Sequence, residues 1–165
     1  MPEHAKILWA AKTWTVKVDY GLGLEFMLSA MDGFQVNPDV TSANFPCPEP
    51  YTGTVQYEAS ICRCMEPAST LEVIEKNDQN RYVPASLEIL ISAVQQHSDL
   101  LDQVPLFAIG SIGKDGFGDP GIPYIDLMVG VPSIRIYSPT GYPPRITDWI
   151  WKPAARLVVY SAGRD

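Results

Sequence analysis

The sequence predicts an α+β fold, a largely antiparallel sheet of about nine short strands with one long amphipathic helix packed on it. Three observations predict it. Residues 83–104, VPASLEILISAVQQHSDLLDQV, place Leu87, Leu90, Ile91, Val94, Leu101 and Val104 at spacings of three and four, the stripe of a buried helix face. Several other stretches alternate apolar and polar residues, the period of a strand. Proline and glycine punctuate the chain between them, with 15 prolines in 165 residues, nearly twice the usual share of about 5%. A chain of this length is most simply one domain, residues 1–165, able to bury a core without metals or disulfides.

Taken in order, residues 4–11 fit a short helix or a strand equally. Residues 13–20 alternate, with Trp14, Val16, Val18 and Tyr20 on one face, and read as a half-buried strand. Residues 24–30 resume alternation as a second strand, and Asp32-Gly33 supplies the positive φ angles of a hairpin turn. Residues 37–53 hold four prolines without apolar period and form an extended arm that must lie on its own domain or on a neighbour. Residues 54–64 point Val55, Tyr57, Ala59 and Ile61 inward and Cys62 and Cys64 outward, and residues 70–76 return as the other half of a hairpin.

The helix comes next, with Pro84 suited to its first turn and Pro105 stopping it. About 22 residues at about 1.5 Å each would make a rod of roughly 30 Å. Residues 106–112 are apolar on both faces, as in a central strand. A glycine-rich loop spans residues 110–123. Residues 124–131 and 133–138 are strands, residues 139–144 a rigid proline loop, and residues 145–151 and 156–160 the last two strands.

The formal charge is −7, with 16 acids against 7 bases before residue 121 and 3 against 5 after it. An acidic body argues against nucleic-acid or anionic-membrane binding. The opening MPEHAKILWAAK has neither the basic start nor the apolar length of a secretory signal, and no run approaches a spanning helix. A protein cytoplasmic at synthesis is expected.

The chemical motifs are few. Cys62-Arg63-Cys64, with Cys47 as a third thiol, lacks the spacing of a zinc knuckle, so reduced cysteines and no metal or cofactor are expected. His97 falls on the buried row of the helix, where a half-buried imidazole on a backbone acceptor is expected. Asp99 and Asp102 stand where the helix dipole disfavours negative charge, so a cation from elsewhere or from a partner would suit them. In the glycine-rich loop, Gly113, Lys114, Asp115 and Asp119 could serve a ligand, although neither a phosphate loop nor a calcium loop matches in order.

No catalytic signature stands out. The proline-rich arm, the strands apolar on both faces and the charge asymmetry predict a structural protein that packs against copies of itself or a larger complex. A virion component such as a bacteriophage head or tail protein fits this profile by association. Phe45, Pro46, Pro48, Pro50, Tyr51, Asp99, Asp102, Trp149 and Trp151 are the candidate interface. Two other classes compete. One is an acidic inhibitor or immunity protein presenting Glu88, Asp99 and Asp102 to a basic site, and the other a small ligand-binding domain or enzyme working at residues 110–121.

Overall fold

The computed structural model describes residues 6–138, 146, 149–152 and 155–162. The chain runs β1 (Ile7–Trp9), β2 (Trp14–Asp19), α1 (Leu24–Ser29), β3 (Gln35–Val36), β4 (Thr54–Cys64), β5 (Ala68–Ser69), α2 (Thr70–Gln79), β6 (Tyr82–Pro84) and α3 (Leu87–Gln96). A 3₁₀ helix (Ser98–Gln103) follows, then β7 (Leu106–Phe107), β8 (Gly113–Lys114), β9 (Pro120–Met128), β10 (Val131–Tyr137), β11 (Ile150–Trp151) and β12 (Arg156–Ser161). This is an α+β architecture with a ten-stranded sheet in the order β1-β4-β12-β7-β9-β10-β3, to which β2, β6 and β8 attach on β4, β12 and β9. Most pairings are antiparallel; β3 with β10 and β7 with β12 are parallel. β11 and β5 make a separate two-stranded ribbon.

The 11-residue strand β4 organises the sheet, because it pairs with β2 through Thr54–Ala59, with β1 through Cys62–Cys64 and with β12 through Ala59–Arg63. Period-two alternation then sends its side chains to two cores. Tyr57, Ala59 and Ile61 join Trp14, Val16 and Val18 of β2 and the buried side chains of α3 on one face. Cys62 and Cys64 join Val73 of α2, Phe107, Ile109, Leu157, Trp149 and Trp151 on the other. β12 confirms the division, since Val158 belongs to the first core and Leu157 and Val159 to the second. A sheet covered on both sides explains why so many strands carry apolar residues on both faces.

The expected single long helix is not formed. Residues 82–84 are strand β6, Ser86 caps α3 by accepting from Ile89 N, and the α-helix ends after ten residues at Gln96. His97 leaves helical geometry with φ −136°, and its Nε2 sits 2.7 Å from Thr15 O. Gln96 grips the same strand, accepting from Lys17 N at 2.8 Å and donating to Lys17 O at 2.6 Å. The helix breaks because its last side chains serve the free edge of β2 instead of prolonging the rod. All residues from Leu87 to Val94 are buried, so α3 is enclosed and not merely seated on one stripe.

Two expected strands are helices. In residues 24–30 the apolar positions satisfy both periods, and α1 forms because Leu24 and Met27 reach the first core together with Met31. The turn at Asp32-Gly33 exists, with Gly33 at φ +78° and Phe34 N donating to Met31 O, but it joins a helix to β3. Residues 70–76 belong to α2, whose start is a reciprocal capping box. Ser69 Oγ accepts from Glu72 N, and the Glu72 carboxylate accepts from Ser69 N. Cys62 and Cys64 point into the second core and not outward. Of the expected central strand 106–112, only β7 pairs; Ala108 and Ile109 continue buried outside regular structure. Residues 4–11 contain β1. The proline loop 139–144 lies outside the described residues, as does part of the strand expected over 145–151.

Candidate functional site

The proline-rich arm lies on its own domain. Phe45 is fully buried in the first core, and Lys114 N donates to Asn44 O at 3.1 Å. Gly113 is required there, because a Cβ would stand 2.1 Å from Asn44 O and 2.4 Å from the Phe45 ring. This docking carries Cys47-Pro48-Glu49 over the first turn of α3, next to Glu88, a residue distant in sequence. One donor atom from each of Cys47, Glu49 and Glu88 lies within 4.8 Å of the others.

The three side chains are held differently. Glu49 Oε1 accepts a short hydrogen bond from Ser86 Oγ and one from Tyr20 OH at 3.1 Å. Its Oε2 lies 3.8 Å from Cys47 Sγ. Tyr20 in turn shares a 2.5 Å hydrogen bond with Tyr57 OH. At the helix start, Leu87 N donates to Ser111 Oγ at 2.7 Å. Glu88 stands apart: it is 2% exposed, and neither carboxylate oxygen has a hydrogen-bond partner. A cleft of about 400 Å³, lined in part by Glu49, Tyr51, Gly110 and Tyr160, opens beside the cluster.

The electrostatics of this place resist negative charge. Burial, reinforced by the Glu49 carboxylate, pushes the Glu88 carboxyl up to about 7. Burial and the Glu88 charge push the Cys47 thiol up to about 11. Tyr20 is raised by burial, by its bond to Tyr57 and by the Glu49 charge. Such a set of groups is neutralised either by protons or by a cation.

Other expected site residues fall elsewhere. Pro46, Pro48, Pro50 and Tyr51 are exposed on the arm, whereas Phe45 is a core plug. Trp149 and Trp151 are core residues rather than surface anchors: Trp151 Nε1 donates to Thr70 Oγ1 at 2.9 Å, and its ring meets Phe107 edge-on. Asp99 has its cation, Lys12 Nζ at 2.8 Å, which together with Trp14 Nε1 holds the carboxyl below its usual range. Asp99 and Asp102 line a groove of about 460 Å³ with Lys12, Arg63 and Arg156, so that groove is of mixed charge. Glu88, at the far end of α3 and buried, shares no acidic face with them.

The glycine-rich loop folds into a small hairpin in which Gly113–Lys114 pairs with Pro120 and Gly121. Asp115 Oδ1 accepts from Phe117 N and Asp119 N, each at 2.9 Å, so the backbone donors that an anion would need are turned onto Asp115. Lys114 and Asp119 are exposed, while Gly113 serves the arm. Cys62 and Cys64 are free thiols pushed up to about 12 and about 11 by burial, which makes them inert packing groups.

The site that sequence reading missed is therefore Cys47, Glu49 and Glu88. The one local signal was Cys-Pro-Glu inside the arm; its meeting with Glu88 depends on tertiary docking. No helix among the described residues is long and apolar enough to cross a membrane. In comparison with known proteins, no family model, curated protein or solved structure gives a significant match to this chain.

Proposed function

We propose that this is a non-enzymatic assembly protein that packs against copies of itself or a larger complex, and that the tip of the β9–β10 hairpin is its contact element. A bacteriophage head or tail particle is one setting for such a protein. The observation that carries the reading is Val129. β9 and β10 pair through Met128 and Val131, which leaves a two-residue loop, Val129-Gly130, with φ +52° and +77°.

Positive φ at both loop positions is the demand of a type I′ turn, which asparagine and glycine meet best. A β-branched residue there is strained by an order of 1 kcal/mol or more. Val129 is also fully exposed, and its neighbours Leu127 and Met128 are exposed as well. Neither folding nor solubility favours valine at this place, whereas burial against a partner does. Phe117, 92% exposed at the tip of the other hairpin on β9, is a second uncovered apolar side chain, without the backbone strain.

The test is the solution mass of the purified chain by light scattering over a range of concentration, beside Val129→Asn and Phe117→Ser. The wild-type chain is expected to associate as concentration rises, and Val129→Asn to shift that association to higher concentration. A wild-type chain that stays monomeric throughout, or variants that associate identically, would overturn self-packing through these tips.

A further inference from the structure

The Cys47–Glu49–Glu88 cluster supports an inference independent of the assembly reading. We propose that Cys47 Sγ and the carboxylates of Glu49 and Glu88 form a zinc-type divalent cation site that clasps the proline-rich arm onto the first turn of α3. The donor atoms converge within 4.8 Å of one another, from two segments that only the docked arm brings together. Zinc bonds sulfur at about 2.3 Å and carboxylate oxygen at about 2.0–2.2 Å, so tetrahedral donors stand roughly 3.5 Å apart. Closing the cluster around an ion takes movements of about an ångström.

Glu88 supplies the second, separate argument. Both its oxygens are without a hydrogen-bond partner in a residue 2% exposed, a condition that costs far more than it returns unless something meets the carboxylate. Position and chemistry both favour a cation. Glu49 is already shaped as a ligand, since Ser86 and Tyr20 fix its Oε1 and leave Oε2 on the side of Cys47. Partners of this kind orient metal-binding carboxylates in general.

The donor set also selects the ion. A thiolate disfavours magnesium and calcium, which take oxygen ligands, while two carboxylates are a poor match for a copper(I) ion. A borderline dication accepts both. Three protein donors leave a fourth position for water, and the set of three negative groups is reduced to a net single negative charge. Binding releases the Cys47 proton, and the proton that Glu88 holds below about pH 7, to solvent, with no redox change.

Zinc chloride is titrated calorimetrically into metal-free full chain, with Cys47→Ser and Glu88→Gln beside it, and cobalt(II) is added in parallel to look for sulfur-to-metal charge-transfer absorption. One zinc per chain is expected, with affinity at least ten-fold lower in each variant, and a cobalt–thiolate band that Cys47→Ser abolishes. Glu88→Gln removes a buried acid and keeps its shape, so circular dichroism should find it folded and its loss of zinc specific. Absence of stoichiometric zinc, equal affinity in wild type and both variants, or a preference for calcium over zinc would each overturn the site.

Discussion

Glu88 and Val129 break the partition of polar from apolar groups in opposite directions. Glu88 is a buried acid whose carboxylate oxygens have no hydrogen-bond partner, at the start of α3. Val129 is a β-branched apolar residue with neither cover nor a comfortable backbone, at the outermost point of a hairpin. The elements around them follow the rule more closely. β2 alternates strictly between buried and exposed residues, and α3 is apolar but for Glu88 and Ser92 before it reaches Gln95. These two departures of opposite sign are what the two proposals rest on. On those proposals a cation meets the buried acid, and a partner surface covers the exposed valine.

The largest effect is expected at Glu88. Its folded-state value of about 7 stands above the ordinary 4.5, so the folded chain holds a proton that the unfolded chain has released. Stability of the metal-free protein therefore falls as pH rises from about 4.5 to about 7, by roughly 3 kcal/mol in all, and levels off above. Glu88→Gln should abolish this slope. Urea denaturation at two pH values checks it: the variant should match the wild type near pH 4.5 and exceed it by roughly 3 kcal/mol near pH 8. Equal wild-type stability at both pH values would mean that Glu88 is solvated or paired in solution, and the contrast with Val129 would dissolve.

Ser86 comes next, because it joins both halves of the cluster. Its hydroxyl accepts from Ile89 N as the cap of α3 and donates to Glu49. Ser86→Ala should lower stability by about 1–2 kcal/mol, the upper part of the range for a lost cap, and should leave the Glu49 carboxylate held by Tyr20 alone. The second consequence separates this residue from an ordinary cap. Zinc affinity should fall together with stability, whereas a cap alone would move only the denaturation midpoint.

How much of this was legible in the sequence depends on the range of the interaction. β2 and β12 could be read because Trp14, Val16 and Val18, and Leu157 to Val159, follow local period and face continuous cores. His97 was also legible as a half-buried ring on a backbone acceptor. α1 was not, since Leu24, Phe26 and Leu28 satisfy a strand while Leu24, Met27 and Leu28 satisfy a helix. α2 carried a readable signal, the Ser69-x-x-Glu72 capping box, which outweighs the weak alternation after it. The break of α3 at His97 was illegible, because its cause is the edge of β2, far away in sequence. The Cys47–Glu49–Glu88 cluster was illegible for the same reason: it exists only once Phe45 is buried and Gly113 admits Asn44.

Val129 gives the smallest change in stability and the sharpest reading of the comparison. Replacing valine by asparagine relieves a β-branched side chain at φ +52° and supplies the residue that a type I′ turn prefers. Val129→Asn should therefore raise stability by about 1 kcal/mol, visible as a higher urea midpoint with unchanged slope. A gain in stability coupled to a loss of association is what a residue kept for contact predicts. A gain with association unchanged would reduce Val129 to a strained turn of no consequence. A loss of stability would show that the exposed side chain packs on the chain itself, and the pairing of Val129 with Glu88 would fall.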